Sequence, residues 1–100
     1  MDEAVLRRLD EARSLTNERL RLAPTFQIFQ SVCVQVEYVY SVATGMNADR
    51  SRLRNVMLGL YAIREFDDSD PELSVALKDV QFVADQMAKG LKVFAKDIAR

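Results

Sequence analysis

The sequence predicts an all-α fold, a small antiparallel four-helix bundle, from three observations. Only three glycines and two prolines interrupt the 100 residues, which favours long helices over many short strands. Apolar residues recur at helical spacing in four segments, and short connections separate those segments. The composition, 49% hydrophobic and 29% charged, is that of an ordinary globular protein with one core. We therefore expect residues 1–100 to form a single domain.

The first helix is predicted over residues 2–22. Asp2 and Glu3 lie at its start, where the positive end of the helix dipole favours acidic side chains. Pro24 disfavours the α conformation of the residue before it, so the helix ends there. The face predicted to pack on the core contains Val5, Leu6, Leu9, Ala12, Thr16 and Leu20.

Residues 24–44 fit two patterns. Between residues 32 and 42, every second residue is valine or tyrosine, which is typical of a strand. The helical pattern fits as well, and an unbroken stretch of about 20 residues is long for a strand and normal for a helix. We therefore predict a helix. It places Val34, Tyr38 and Val42 in a stripe opposite the core face, so this helix should contact something on both sides.

The third helix is predicted over residues 49–65, after Gly45 ends the second helix in the left-handed conformation. Gly59 lies inside it, where a glycine is unfavourable unless another helix or a partner approaches closely. Leu58 and Tyr61 lie off the predicted core face. That face contains Leu53, Val56, Met57, Leu60 and Ile63.

The fourth helix is predicted to begin at Pro71, with Asp70 as its N-cap. Its apolar residues keep one helical phase through Gly90, so we expect it to continue towards Ile98. The alternative is that the helix stops at Gly90 and a separate short C-terminal helix follows.

Five acidic side chains fall within eight residues between the third and fourth helices: Glu65, Asp67, Asp68, Asp70 and Glu72. Helix capping and the helix dipole explain the last two. The first three are not needed to start a helix. They are interpreted either as solvated charge or as a docking patch for a basic protein surface.

Several function classes are excluded or disfavoured by composition. A net charge of −1 argues against nucleic acid or an anionic membrane as a partner. The absence of histidine argues against a histidine-based metal site and a histidine catalytic base. The single cysteine, Cys33, cannot form an internal disulfide and is interpreted as a buried core residue. No phosphate-binding loop, metal-ligand spacing or nucleophile–base pair is present, so no cofactor, metal or catalytic residue is predicted. The N-terminus lacks a signal-peptide pattern, which predicts a cytoplasmic protein.

Several residues of the second half of the chain form a recognisable pattern: Leu58-Gly59, Ala62, the string EFDxxDPELSxALKD from Glu65 to Asp79, and Gly90-Leu91-Lys92-Val93. In this pattern, which is sharpest over residues 58–79, the chain resembles the type VI secretion system immunity protein family that neutralises an NAD(P)-glycohydrolase effector of Pseudomonas. The likeness is looser over residues 80–93. The first 50 residues match the family only in their general pattern. It implies a small helical protein without catalytic activity, which binds the catalytic domain of a cognate toxin in the cytoplasm and covers its active site.

Seven residues are the candidate toxin contacts. Three acids are predicted to make electrostatic contacts, and four apolar or aromatic residues are predicted anchors. The acids are Glu65, Asp67 and Asp68. The anchors are Tyr61, Leu58, Tyr38 and Val34.

Three other functions remain open. A structural homodimer would use the stripe formed by Val34, Tyr38 and Val42, and dimerisation is compatible with immunity. A small helical enzyme would use charge from Arg7, Arg8, Arg13 and Glu65. A DNA-binding antitoxin would use Arg50, Arg52 and Arg54, although the acidic composition argues against it.

Overall fold

The computed structural model describes residues 1–98, which fold into helices with no strand in that range. Four α-helices follow in this order: α1 (Glu3–Leu22), α2 (Gln27–Ala43), α3 (Leu58–Tyr61) and α4 (Pro71–Ala88). A π-helical turn, Ala62–Phe66, continues α3 directly, and Leu53–Asn55 and Ala95–Asp97 form 3₁₀ turns. The prediction of an all-α fold is confirmed.

The core lies between α1, α2 and α4. The short connection after α1 returns the chain antiparallel to it as α2, and α4 packs along α1. Burial of each large apolar side chain contributes about 1.5–3 kcal/mol to this packing. The largest fully buried side chains include Leu9, Val32, Val36, Val39, Leu73, Leu77 and Val80.

Residues 24–44 form the predicted helix, with α2 spanning Gln27–Ala43. The second apolar face of α2 is covered by the chain's own segment between α2 and α3. The Tyr38 hydroxyl donates to the Asp49 carbonyl at 2.8 Å and accepts from the Arg52 N–H at 3.2 Å. Tyr38 and Val42 are therefore buried, and Val34 alone of the predicted stripe stays exposed.

The third helix is shorter than predicted. Residues 46–52 are turn and coil, and α3 begins only at Leu58. Val56 has an extended backbone, which breaks the helical phase after Leu53. As a result Leu58 points into the core, whereas Leu60 and Ile63, predicted to be core residues, are exposed.

Helix α4 ends at Ala88, so the prediction that it continues towards Ile98 was wrong. Gly90 adopts a left-handed conformation with φ of 72°, and the Leu91 N–H donates to the Gln86 carbonyl at 3.0 Å. This is a glycine-based helix stop, in which the absence of a Cβ removes the steric cost. The chain then turns back, and Ile98 is buried.

No helix within residues 1–98 is both long enough and apolar enough to cross a lipid bilayer.

Candidate functional site

Some of the acidic side chains of the acidic turn, residues 65–72, make contacts within the protein. The Asp70 carboxylate caps α4 by accepting the Leu73 N–H at 3.3 Å, and it accepts Arg19 Nε from α1 at 2.7 Å. Arg19 also donates to Glu72 at 3.2 Å. The adjacent guanidinium lowers the pKa of Asp70. These two acids therefore stabilise the junction of α1 and α4.

Asp67 is also engaged within the fold. Its carboxylate accepts the Ser74 hydroxyl and accepts Lys78 Nζ at 2.9 Å, both from α4. These two hydrogen bonds lower the pKa of Asp67, the one from Ser74 having the larger effect. Asp67 thus fixes the end of the third helical segment on α4, which its predicted role as a toxin contact did not anticipate.

The π-helical turn sets which side chains face outward. The Asp67 N–H donates to the Ala62 carbonyl at 2.9 Å, five residues back rather than four. Ala62 and Phe66 are both buried, and the Phe66 ring stacks on Phe29 with ring centroids 5.6 Å apart. The wider turn leaves three consecutive residues, 63–65, exposed between them.

Glu65 and Asp68 differ from the other acids of the turn. Both are exposed, and neither side chain has a hydrogen-bond or ion-pair partner within residues 1–98. Of the three predicted acidic contacts, only these two carboxylates are exposed and without a partner within the described residues.

The four predicted anchors do not form one surface. Leu58 is 0% exposed and Tyr38 is 8% exposed, so the prediction that these two lie on the surface was wrong. Leu58 turns inward because the helix starts later than predicted, and Tyr38 is covered by Arg52, whose guanidinium lies 4.3 Å from the ring centroid. Tyr61 is half-buried against the core. Val34 is 64% exposed.

The start of α3 is held by two glutamines that sequence reasoning missed. Gln35 of α2 accepts the Met57 N–H at 2.8 Å, and Gln81 of α4 accepts the Gly59 N–H at 3.1 Å. They satisfy backbone donors that a local N-cap would normally satisfy. A Cβ on Gly59 would lie 3.2 Å from Gln81 Cγ, so the predicted close approach of another helix at this glycine is confirmed.

The three arginines between residues 50 and 54 have partners within the fold. Arg50 donates to the Met87 carbonyl at 2.9 Å, and Arg54 donates to the Ala88 carbonyl at 3.4 Å. Both contacts lie at the C-terminal end of α4, where the helix dipole favours positive charge. Arg52 lies over the Tyr38 ring. Arg50 and Arg54 therefore stabilise the end of a helix and Arg52 covers a tyrosine, which are not the roles that a DNA-binding protein requires.

The arginines of the enzyme hypothesis do not converge. Arg8 lines a cleft of about 770 Å³ between α1 and α4 and lies 3.7 Å from Asp79. Arg13 is turned away, towards Glu37 at 3.1 Å and the Tyr40 ring at 4.0 Å. Within the described residues, no three His, Cys, Asp or Glu side chains are grouped so that they could hold a metal ion.

Comparison with known proteins identifies the family. The Tsi6 family model matches residues 4–86. The immune protein Tsi6 of Pseudomonas aeruginosa is 41% identical over 85 residues, which cover 85% of this chain and 90% of that protein.

Two solved structures agree with that match. A structure of Tse6 in complex with Tsi6 superposes with a TM-score of 0.82 at 39% identity, covering 88% of this chain and 94% of the matched chain. A structure of Tsi6 from Pseudomonas aeruginosa gives a TM-score of 0.75 at 39% identity, covering 80% of this chain and 93% of that one. In sequence and in fold, this chain belongs to the Tsi6 family.

Proposed function

We propose that this chain is a cytoplasmic immunity protein that binds a cognate antibacterial toxin and blocks its active site. The observation that carries the proposal is the likeness, over nearly the whole chain, to an immune protein whose structure is known in complex with Tse6. The cognate toxin is then a protein related to Tse6. Inhibition by occlusion means that bound immunity protein keeps the toxin's substrate from its catalytic residues.

The internal contacts support a binding role over the rival chemistries. Of the basic groups that an enzyme would use, Arg13 is engaged with Glu37 and Arg8 with Asp79, which leaves Arg7 without a partner within residues 1–98. Of those that a DNA-binding protein would use, Arg50 and Arg54 are engaged with the carbonyls that end α4. The homodimer built on Val34, Tyr38 and Val42 is not proposed, because the last two of these side chains are buried.

A finer part of the proposal concerns the toxin's chemistry. The resemblance of residues 58–79 to immunity proteins that face an NAD(P)-glycohydrolase implies that the cognate toxin degrades NAD(P). On this proposal the chain itself needs no cofactor, since it acts by covering a site on another protein.

The test is co-expression with the toxin encoded by the adjacent gene. We expect cells that carry the toxin alone to stop growing and lose NAD(P), and cells that also carry this chain to grow with normal NAD(P) levels. The purified proteins should form a complex that no longer hydrolyses NAD⁺. If the chain neither protects cells nor binds the toxin, the immunity function is wrong. If it protects while the toxin leaves NAD(P) intact, only the assignment of the toxin's chemistry fails.

A further inference from the structure

Residues 57–63 contain three exposed large apolar side chains. Met57 is 49% exposed, Leu60 is 38% exposed and Ile63 is 62% exposed. Within the described chain, the other exposed large apolar residues lie near chain ends or in connections, or stand singly in a helix. Single exposed apolar residues are normal on a soluble protein, but a group of them within one short segment marks an interaction surface.

The burial pattern of this segment defines its outward side. Leu58, Ala62 and Phe66 are buried at intervals of four, so they share one side of the helix. Positions 60, 64 and 68 are offset from them by two residues and are all exposed. The opposite side therefore faces solvent, and the π-helical turn widens it by exposing Ile63 and Glu65 beside Arg64.

Contacts to both neighbouring helices hold the segment in place. Its first turn is bonded to Gln35 of α2 and Gln81 of α4, and Asp67 at its end is bonded to Ser74 and Lys78 of α4. A surface fixed in this way loses little conformational entropy when a partner binds, which favours tight association.

Three charged side chains on this side are exposed without a partner among residues 1–98: the carboxylates of Glu65 and Asp68 and the guanidinium of Arg64, which together leave one net negative charge. Glu65 and Asp68 have no partners among residues 1–98, whereas Asp67, Asp70 and Glu72 are bonded to Lys78 or Arg19. The cleft between α1 and α4 is also lined by acids. Asp10, Glu18 and Glu72 of that cleft have arginine partners, and Glu11 is its one exposed acid without a partner among residues 1–98. Unpaired carboxylates beside an apolar surface select a partner with basic groups at the corresponding positions.

We infer that the outward side of residues 57–68 docks on the catalytic domain of the toxin, and that the matching toxin surface is apolar opposite Leu60 and Ile63 and basic opposite Glu65 and Asp68. The inference rests on the proposed function and adds to it the surface of this chain that binds the toxin. Leu60 and Ile63 are the apolar contacts, and Glu65 and Asp68 are the electrostatic contacts.

The first test truncates the apolar contacts. We expect Leu60→Ala/Ile63→Ala to weaken the Kd for the toxin encoded by the adjacent gene at least about 30-fold, as truncation of two anchor residues does. The matched control is Leu22→Ala/Val75→Ala, which removes two exposed apolar side chains elsewhere, one of them from the α1–α4 cleft. The control should change the Kd less than about threefold. Thermal unfolding of each variant checks that it is folded.

The second test removes charge without touching an internal contact. Glu65→Gln/Asp68→Asn should slow association about threefold to tenfold at low salt, and the difference should disappear at high salt. The control, Glu3→Gln/Glu11→Gln, removes two exposed acids of α1.

The outcomes separate the docking surface from the function. One outcome is that the wild type binds the toxin while neither Leu60→Ala/Ile63→Ala nor Glu65→Gln/Asp68→Asn changes the affinity or the association rate. In that case the assignment of the docking surface is wrong and the immunity function stands. Loss of binding in Leu22→Ala/Val75→Ala, with the variants of residues 60–68 binding normally, would place the interface across α1 and α4 instead. If the folded wild type does not bind the toxin, the proposed function fails, and the docking surface fails with it.

Discussion

Arg19, in the last turn of α1, donates from Nε to the Asp70 carboxylate at 2.7 Å, across 51 residues of sequence. The same carboxylate caps α4. One acidic side chain therefore serves both a local role, starting a helix, and a tertiary role, holding that helix on another. The extra hydrogen bond from Arg19 to Glu72 ties the first turn of α4 into the same contact.

Asp70→Ala should lower the free energy of unfolding by about 1–2 kcal/mol, because it removes an N-cap and an ion pair of which each side chain is about one-fifth exposed. Arg19→Ala should cost less, up to about 1 kcal/mol. Urea denaturation of the two single variants and the double variant gives the coupling between them. Arg7→Ala, at an exposed residue with no partner within residues 1–98, is the control and should change stability by less than about 0.5 kcal/mol. Strictly additive effects of the two changes would contradict the interaction.

Lowering the pH should destabilise the protein through protonation of the Asp70 carboxylate. Arg19 lowers the pKa of Asp70 below its ordinary value of 3.8, so the unfolded state binds a proton more readily than the folded state. The contribution of the carboxylate to stability is therefore complete above the ordinary pKa and is lost as pH falls through the lower folded pKa. The pKa of Asp67 is also lowered, by hydrogen bonds from Ser74 and Lys78, so its contribution to stability is lost in the same way as pH falls.

Urea denaturation at pH values from about 6 down to about 2 measures this loss. Asp70→Asn should be less stable than the wild type near neutral pH and should lose less stability on acidification. An identical pH dependence in the wild type and in Asp70→Asn would contradict the assignment.

Tyr38→Phe should lower stability by about 1 kcal/mol, because the Asp49 carbonyl and the Arg52 N–H both lose their contact with the hydroxyl. Its affinity for the toxin should be unchanged, since Tyr38 is buried under the chain's own connection. Chemical denaturation and a binding titration on the same preparation check both statements. Weakened binding by a fully folded Tyr38→Phe variant would restore Tyr38 as a contact.

Gly90→Ala should destabilise the protein by about 1–2 kcal/mol, because alanine is strained at a φ of 72°. No neighbouring atom lies within 4 Å of the added Cβ, so the cost comes from the backbone alone. Gly90→Asn should cost less, since asparagine tolerates the left-handed conformation. Equal stabilities of all three proteins in thermal unfolding would mean that the helix stop does not depend on glycine.

Cys33 should react slowly with thiol reagents in the folded protein. The side chain is buried, and that burial raises the pKa of its thiol, so little thiolate is present and access is poor. Reaction with a disulfide reagent should become fast only where urea unfolds the chain. Rapid modification in native buffer would show that α1 and α2 separate readily at this position.

Local chemistry predicted much of the fold. Asp70 and Pro71 start α4, Pro24 follows the end of α1, and length favoured a helix over the alternating valines and tyrosines of α2; all three predictions hold in the structure. Each of these signals lies within a few residues of the feature it predicts. The helix stop at Gly90 was only the alternative prediction, because Leu91 and Phe94 continue the apolar phase of α4, although both side chains are exposed.

The site was predicted less well because its determinants are distant in sequence. Periodicity placed Leu60 in the core and Leu58 outside it, since nothing local shows that the backbone becomes extended at Val56. The internal partners of Asp67 and Asp70 come from other helices. An excess of acid next to a helix start was visible in the sequence, but which acids are left for a partner depends on where Lys78 and Arg19 lie in three dimensions.

The π-helical turn has a consequence for how such proteins diverge. The Ala62–Asp67 hydrogen bond encloses one residue more than an α-helical bond. Deleting one residue from 63–65 would give an ordinary α-helix in which Ala62 and Phe66, then three apart, still share the inward side. The core would be kept while the exposed surface changed in length and direction. If residues 57–68 dock on the toxin as inferred above, deletion of a single codon would alter the docking surface and leave the fold in place.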